Sequence, residues 1–190
     1  MKTLRARVAG SVLALLIALM ASDAFGAVVR QAGLEELVGS SAVIFHGRVA
    51  LVDESPADGP TKRFVTKIHF EIIEPIAGLP AEQQTLVLDV PGGRRANRTL
   101  VIPGMPRFLP GDEVVLLLEK IEGRDQLIFT GLAQGVYWVR RDGLGPRVHR
   151  NLGELTLVRG SEHSHGGLEQ AGSLQGLLAQ LRKLTFRGTP

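Results

Sequence analysis

Leu34-Glu35-Glu36-Leu37-Val38-Gly39-Ser40-Ser41-Ala42-Val43-Ile44-Phe45-His46-Gly47-Arg48-Val49 is the stretch on which the fold turns. Its first half places Leu34, Leu37 and Val38 at i, i+3 and i+4, one apolar stripe of a short helix over residues 33–39. Gly39 is placed to end that helix, and Ser40-Ser41 turn the chain. One or two helical turns are not stable alone, so the helix must dock on a larger element. The second half opens a strand over residues 42–52. Val43, Phe45, Val49 and Leu51 point to one face, and Ile44, His46, Arg48 and Ala50 to the other. Gly47 falls mid-strand on the apolar face, which predicts a bulge or a bend. His46 shares a face with Arg48, which predicts a surface or rim histidine.

Residues 62–74 alternate strictly, with Phe64, Thr66, Ile68, Phe70 and Ile72 against Arg63, Val65, Lys67, His69 and Glu71. That is a strand with one buried and one wet face, ended by Pro75. Residues 85–90 form a third strand with Leu86, Leu88 and Val90 inward. Glu113-Val-Val-Leu-Leu-Leu-Glu119 is continuously apolar between two acids, the pattern of a strand buried on both faces. Residues 126–130, 135–140, 146–150 and 155–158 supply further strands around Gly-rich turns. Ser173 caps a C-terminal helix with Leu174, Leu177, Leu178, Leu181 and Leu184 at helical spacing. Short strands joined by hairpin turns predict an all-β fold. A bent first strand narrows this to a small five-stranded, OB-like Greek-key barrel with an extra hairpin, a short N-terminal helix and a C-terminal helix.

The chain has 190 residues and no cysteine. It begins with a basic segment (Lys2, Arg5, Arg7), continues with an apolar run over residues 12–20, and then has small residues before Ala27. This three-part order is that of a secretory signal peptide over residues 1–26. The apolar run is shorter than the roughly 20 residues a membrane span needs, so no stable span is expected after cleavage. The remaining chain divides by composition into a barrel domain over 27–159, a polar, glycine-containing linker over 160–172 and an amphipathic helix over 173–187. An exported product, periplasmic or extracellular, is expected. Losing Lys2, Arg5, Arg7 and Asp23 lowers the formal charge from +3 to about +1. Net charge therefore gives no support to nucleic-acid binding.

The stretch running from Leu37 to Val49 resembles the opening of the barrel in netrin-like modules, which include the tissue inhibitors of metalloproteinases. Residues 64–73, 86–90, Gly111-Asp112-Glu113-Val114-Val115-Leu116-Leu117 and Ile128-Phe129-Thr130-Gly131 are similar to its later strands, so the likeness covers roughly residues 34–132. Pro91-Gly92-Gly93 and residues 103–114 also resemble a group of uncharacterised exported bacterial proteins, a likeness that carries no activity with it. The resemblance implies an OB-like barrel and a protein partner such as a secreted protease. It does not bring the inhibitors' zinc-chelating wedge, which uses an N-terminal cysteine that this chain lacks.

Residues 94–107 hold Arg94, Arg95, Arg98 and Arg107 among prolines and glycines. Loops this long in a compact domain are often functional, so these arginines are the candidate partner-binding residues. His149, His163 and His165 are the candidate ligands for zinc or copper, since two histidines two apart with a third nearby offer imidazole donors. Tyr137 and Trp138 are the aromatic rings that would stack on bases, set against a place in the core. The chain has neither Gly-x-Ser-x-Gly nor His-Glu-x-x-His, and its serines sit at caps and turns, where serine is expected. The reading is therefore a non-enzymatic exported binding module that needs no cofactor and engages a secreted protease or another envelope protein. The alternatives are a metal-binding protein and a structural envelope component.

Overall fold

The computed structural model describes residues 26–54, 64–143 and 145–187. The signal-peptide expectation falls outside these residues except at Gly26, as do the loop residues 55–60 and the first residues of the 62–74 strand. The fold is dominated by β-structure. Strand β1 (Ala27–Arg30) leads into helix α1 (Leu34–Ser40) and then β2 (Val43–Asp53), β3 (Val65–Ala77) and β4 (Thr85–Pro91). A small hairpin, β5 (Gly93–Arg95) and β6 (Arg98–Leu100), precedes β7 (Glu113–Lys120) and β8 (Leu127–Phe129). A 3-10 turn (Leu132–Gly135) connects to β9 (Val136–Asp142) and β10 (Gly145–Asn151). Strands β11 (Leu155–Arg159), β12 (Glu162–His165) and β13 (Leu168–Ser173) follow, and α2 (Leu174–Arg187) comes last.

The main sheet has the order β13-β10-β9-β7-β2-β3-β4, with β8 also paired to β7. β1, β11 and β12 form a second sheet, and β5 and β6 pair only with each other. The expectation of an all-β-dominant chain with a helix near each end is met. The ladders by themselves do not close a five-stranded barrel. Among the described residues no ladder joins β4 to β8, and the sheets are open.

Period two in β7 explains the layers. Val114, Leu116 and Leu118 join Phe45, Val49, Ile68, Phe70, Leu88 and Val90 in one buried cluster. Val115 and Leu117 point the other way and join Ile44, Tyr137 and Val148 under Leu37 and Val38 of α1 and Leu174, Leu177, Leu178 and Leu181 of α2. Both helices thus cover one face of the sheet, and their apolar stripes are matched to it. Ser41 closes α1 by donating from Oγ to the Leu37 carbonyl at 2.7 Å, and the same oxygen lies 2.9 Å from Thr130 Oγ1.

One edge of β7 pairs with β2 from Val43↔Leu118 to Arg48↔Glu113. Its other edge is shared, with Leu118↔Phe129 in β8 and Leu116↔Val136 in β9. The two strands are therefore one interrupted strand, and the interruption stands out as the 3-10 turn. Gln134 in that turn is buried; its Oε1 accepts from the Ala32 amide at 2.9 Å and its Nε2 donates to the Arg30 carbonyl at 3.0 Å. It takes the place of a strand partner for the connection between β1 and α1.

Residues 160–172 are not a linker. β12 pairs antiparallel with β11, and β13 pairs antiparallel with β10. Their side chains are mostly exposed, so these strands are held by backbone ladders to neighbours whose inner faces are buried. A polar composition does not reveal that kind of pairing. The 94–107 segment is likewise less irregular than its composition implies, because it contains the β5–β6 hairpin.

Gly47 sits at a register shift between β2 and β3, as its place in the strand predicts. A Cβ there would lie 2.7 Å from the Glu71 carbonyl oxygen and 2.8 Å from Phe45 Cε2. Neither neighbour yields cheaply, one being backbone and the other a fully buried ring. Gly47→Ala is expected to destabilise the chain by about 1–3 kcal/mol through overpacking. Urea denaturation measures this, and an unchanged midpoint would mean that the strand accommodates the methyl group.

Candidate functional site

The long segment between β4 and β7 is tied down by one ring. Phe108 is buried, edge-on to Phe70 at 5.7 Å, beside Phe129 at 5.5 Å and stacked with Trp138 at 5.9 Å. The segment then turns into β7 through Asp112, whose Oδ2 accepts from the Leu109 amide at 2.7 Å. Sequence reasoning missed Phe108. Its signal was a lone aromatic in a Pro-Arg-Phe-Leu-Pro run, where a large apolar side chain has no business in solvent.

Fixing Phe108 places the stretch before it between two shallow clefts. One, of about 150 Å³, lies between this stretch and the β5–β6 hairpin, with Thr66, Val90, Leu100 and Met105 among its lining. The other, of about 210 Å³, is lined by Arg107, Trp138, His149, Asn151 and Glu154. Arg94, Arg95 and Arg98 all stand exposed on the hairpin, and Arg95 lies directly opposite Arg98. Arg107 lies off the hairpin but lines both clefts, and its Nη2 faces Glu154 Oε1 at 3.7 Å.

The three histidines are not brought together. His149 lies on β10 in the main sheet, whereas His163 and His165 lie on β12 in the second sheet. Among the described residues no three His, Asp or Glu side chains form a metal-ligand cluster. His149 stacks on Trp138 at 6.3 Å; burial, with Arg140 nearby, pushes its pKa down. Trp138 thus stacks with both Phe108 and His149. Tyr137 is buried under the Arg150 guanidinium, 5.4 Å from its ring centre, and Arg150 reaches Glu169 at 2.5 Å. Both rings are packed into the structure away from the hairpin arginines.

His46 is the other departure from expectation. It is 4% exposed, not a rim residue. Its Nε2 lies 2.8 Å from Glu113 Oε1, and the carboxylate, an acceptor only, makes that nitrogen the donor. Arg141 grips the same carboxylate with Nη2 at 2.6 Å and Nε at 2.8 Å, and Arg48 stands 3.8 Å away. Beside it Arg182 of α2 hydrogen-bonds Glu74 of β3. The helix layer and the ion pairs cover a face that alternation alone assigned to water. The arrangement holds Glu113 in charge-assisted bonds.

No helix among the described residues is long and apolar enough to cross a membrane. No known protein family, curated protein or solved structure matches the chain.

The hydrogen bonds from Arg141 hold the Glu113 carboxyl below its ordinary value of 4.5; burial opposes them and His46 adds to them. A carboxyl with a lowered folded-state pKa contributes its full stabilisation above the unfolded value and loses it as pH falls through the folded one. Glu113→Gln is therefore expected to cost about 1.5–3 kcal/mol at pH 7, the range for hydrogen bonds to charged groups. The gap from wild type should narrow below about pH 4.5. Thermal melts from pH 7 to pH 3 measure it, and a gap that stays constant with pH would show that the charge is not what stabilises.

Proposed function

We propose that the chain is an exported, non-enzymatic binding module of netrin-like type that engages an acidic surface of a secreted protease or envelope protein through the β5–β6 hairpin. The supporting scaffold is a five-stranded OB-like barrel in the cyclic order β2-β3-β4-β8-β7. Three of its five seams, together with β7–β8, are ladders. The remaining seam, β4 to β8, is spanned by Gln126 Nε2 donating to the Asp89 carbonyl at 3.4 Å. All five strands feed one buried cluster, which Phe108 completes.

The observation that carries the function is the way the hairpin departs from what its own stability favours. Like charges directly opposite on a strand pair are destabilising, yet Arg95 faces Arg98. The turn between them holds Ala96 at φ 50°, a left-handed conformation that favours glycine or asparagine. Leu100 and Val101 beside it and Leu109 further along the segment are exposed, Leu109 to 71%. Local rules broken together in one exposed hairpin mark a place where something other than folding sets the residues. Basic side chains flanked by exposed leucine and valine match a partner surface that mixes carboxylates with apolar groups.

The test is recovery of partners from periplasmic and culture-supernatant fractions on the purified chain, compared with the triple variant Arg94→Glu, Arg95→Glu, Arg98→Glu. Charge reversal on the hairpin should reduce recovery of a specific partner at least tenfold, while circular dichroism shows the β-fold retained. Equal recovery of every partner by the two proteins would remove the hairpin from the binding surface.

A further inference from the structure

We infer that His163 and His165 form a surface site for a divalent transition-metal ion, with copper(II) preferred. The two residues lie in β12, the edge strand of the β1-β11-β12 sheet. Residues two apart on a strand share a face, so both imidazoles project from the same side about 6.6 Å apart along the chain. Which side that is follows from the register. His165 pairs with Thr156 and His163 with Val158, so the histidines share a face with Thr156 and Val158. The alternate residues Leu155 and Leu157 are buried with Leu152 and Ala133. The face that carries the histidines is therefore the outer one, and both are exposed.

The parallel pairing of β1 extends that face, with Val28 opposite Thr156 and Arg30 opposite Val158. Arg30 pairs with Glu36 of α1 at the far side of the sheet. Across the strand from the two histidines stand only an uncharged threonine and a valine. The donor set is thus two imidazole nitrogens without a carboxylate. Imidazole suits zinc, nickel and copper and gives no hold on magnesium or calcium, and among the divalent ions of the first transition row copper(II) binds nitrogen donors most tightly. Metal–nitrogen bonds of about 2 Å from each ring let one ion bridge side chains at this spacing, with water filling the remaining positions. An edge strand leaves the ion open to solvent, so the site is one of exchange or of ternary contact, not a structural staple. His149 takes no part, being in the other sheet and stacked on Trp138.

The experiment is a calorimetric titration of the purified chain, free of any polyhistidine tag, with copper(II), nickel(II) and zinc(II), paired with electron paramagnetic resonance of the copper form. One copper per chain is expected at pH 7.5, with nitrogen hyperfine structure from two imidazoles and weaker binding of zinc. His163→Ala and His165→Ala should each weaken copper binding at least tenfold, while His149→Ala leaves it unchanged. Copper bound equally well by the double variant would place the metal elsewhere, and no copper bound by the wild type would overturn the proposal outright. The two histidines are remote in sequence and sheet from the β5–β6 hairpin, so either result leaves the partner-recovery test of that hairpin independent.

Discussion

The burial of β7 on both faces is the constraint from which the rest of the architecture follows. Val114 to Leu118 are all shut off from solvent. A strand with apolar side chains alternating to both sides cannot be satisfied by a single layer. On one side the need is met by the apolar faces of β2, β3 and β4 with Phe108. On the other it is met by α1 and α2. Neither helix is long, and α1 has two turns at most, so their persistence depends on this shared face rather than on their own propensity. Removing either layer would expose one half of the alternation in β7. The layers are therefore coupled through a strand that touches both.

The same constraint explains the interruption opposite β7. A continuous strand along its second edge would pair with β7 over its whole length and leave no room for the 3-10 turn. Splitting it at Gly131–Gly135 lets β8 and β9 each pair with β7, and β9 goes on to β10 and β13. The excursion is then used a second time, because Gln134 at its crest satisfies the backbone that carries β1 toward α1. β1 in turn lies parallel to β11, so the turn holds the second sheet beside the first.

Much of this was legible in the sequence, and the parts that were not share a physical cause. The uninterrupted run Glu113–Glu119 announced a doubly buried strand, Gly47 announced an irregularity, and the leucines from 174 announced a docked helix. Each is a statement about local period or sterics, which one segment carries by itself. His46 was misplaced because period two separates faces but does not say whether the second face is wet. That depends on a helix some 130 residues later in the chain. The strands within 160–172 were missed because their partners, not their own side chains, supply the stability. The candidate sites divide in the same way: Arg94, Arg95 and Arg98 are adjacent in sequence and meet on one hairpin. Arg107, next to the core residue Phe108, lies off the hairpin and reaches Glu154. His149 parts from His163 and His165 because the chain changes sheets between β10 and β11.

Glu113 shows how electrostatics enters a fold otherwise set by apolar burial. A buried carboxylate is a cost in isolation, and replacing a buried ion pair with apolar groups is often neutral or stabilising. Its position argues for a role in register. It is the first residue of β7 and stands opposite Arg48, with His46 on the same face two residues along β2. Sliding β2 by one residue relative to β7 would turn His46 and Arg48 to the face of Phe45 and Phe70 and leave the carboxylate among leucines. The apolar residues of β2 and β7 alternate on both faces, so hydrophobicity alone penalises such a slip weakly: Ile44 and Phe45, or Val114 and Val115, would simply exchange layers. One charge that has partners in a single register supplies the discrimination that a strand apolar on both sides lacks. The central strand thus needs its buried acid for the very reason that the rest of it is so uniformly apolar.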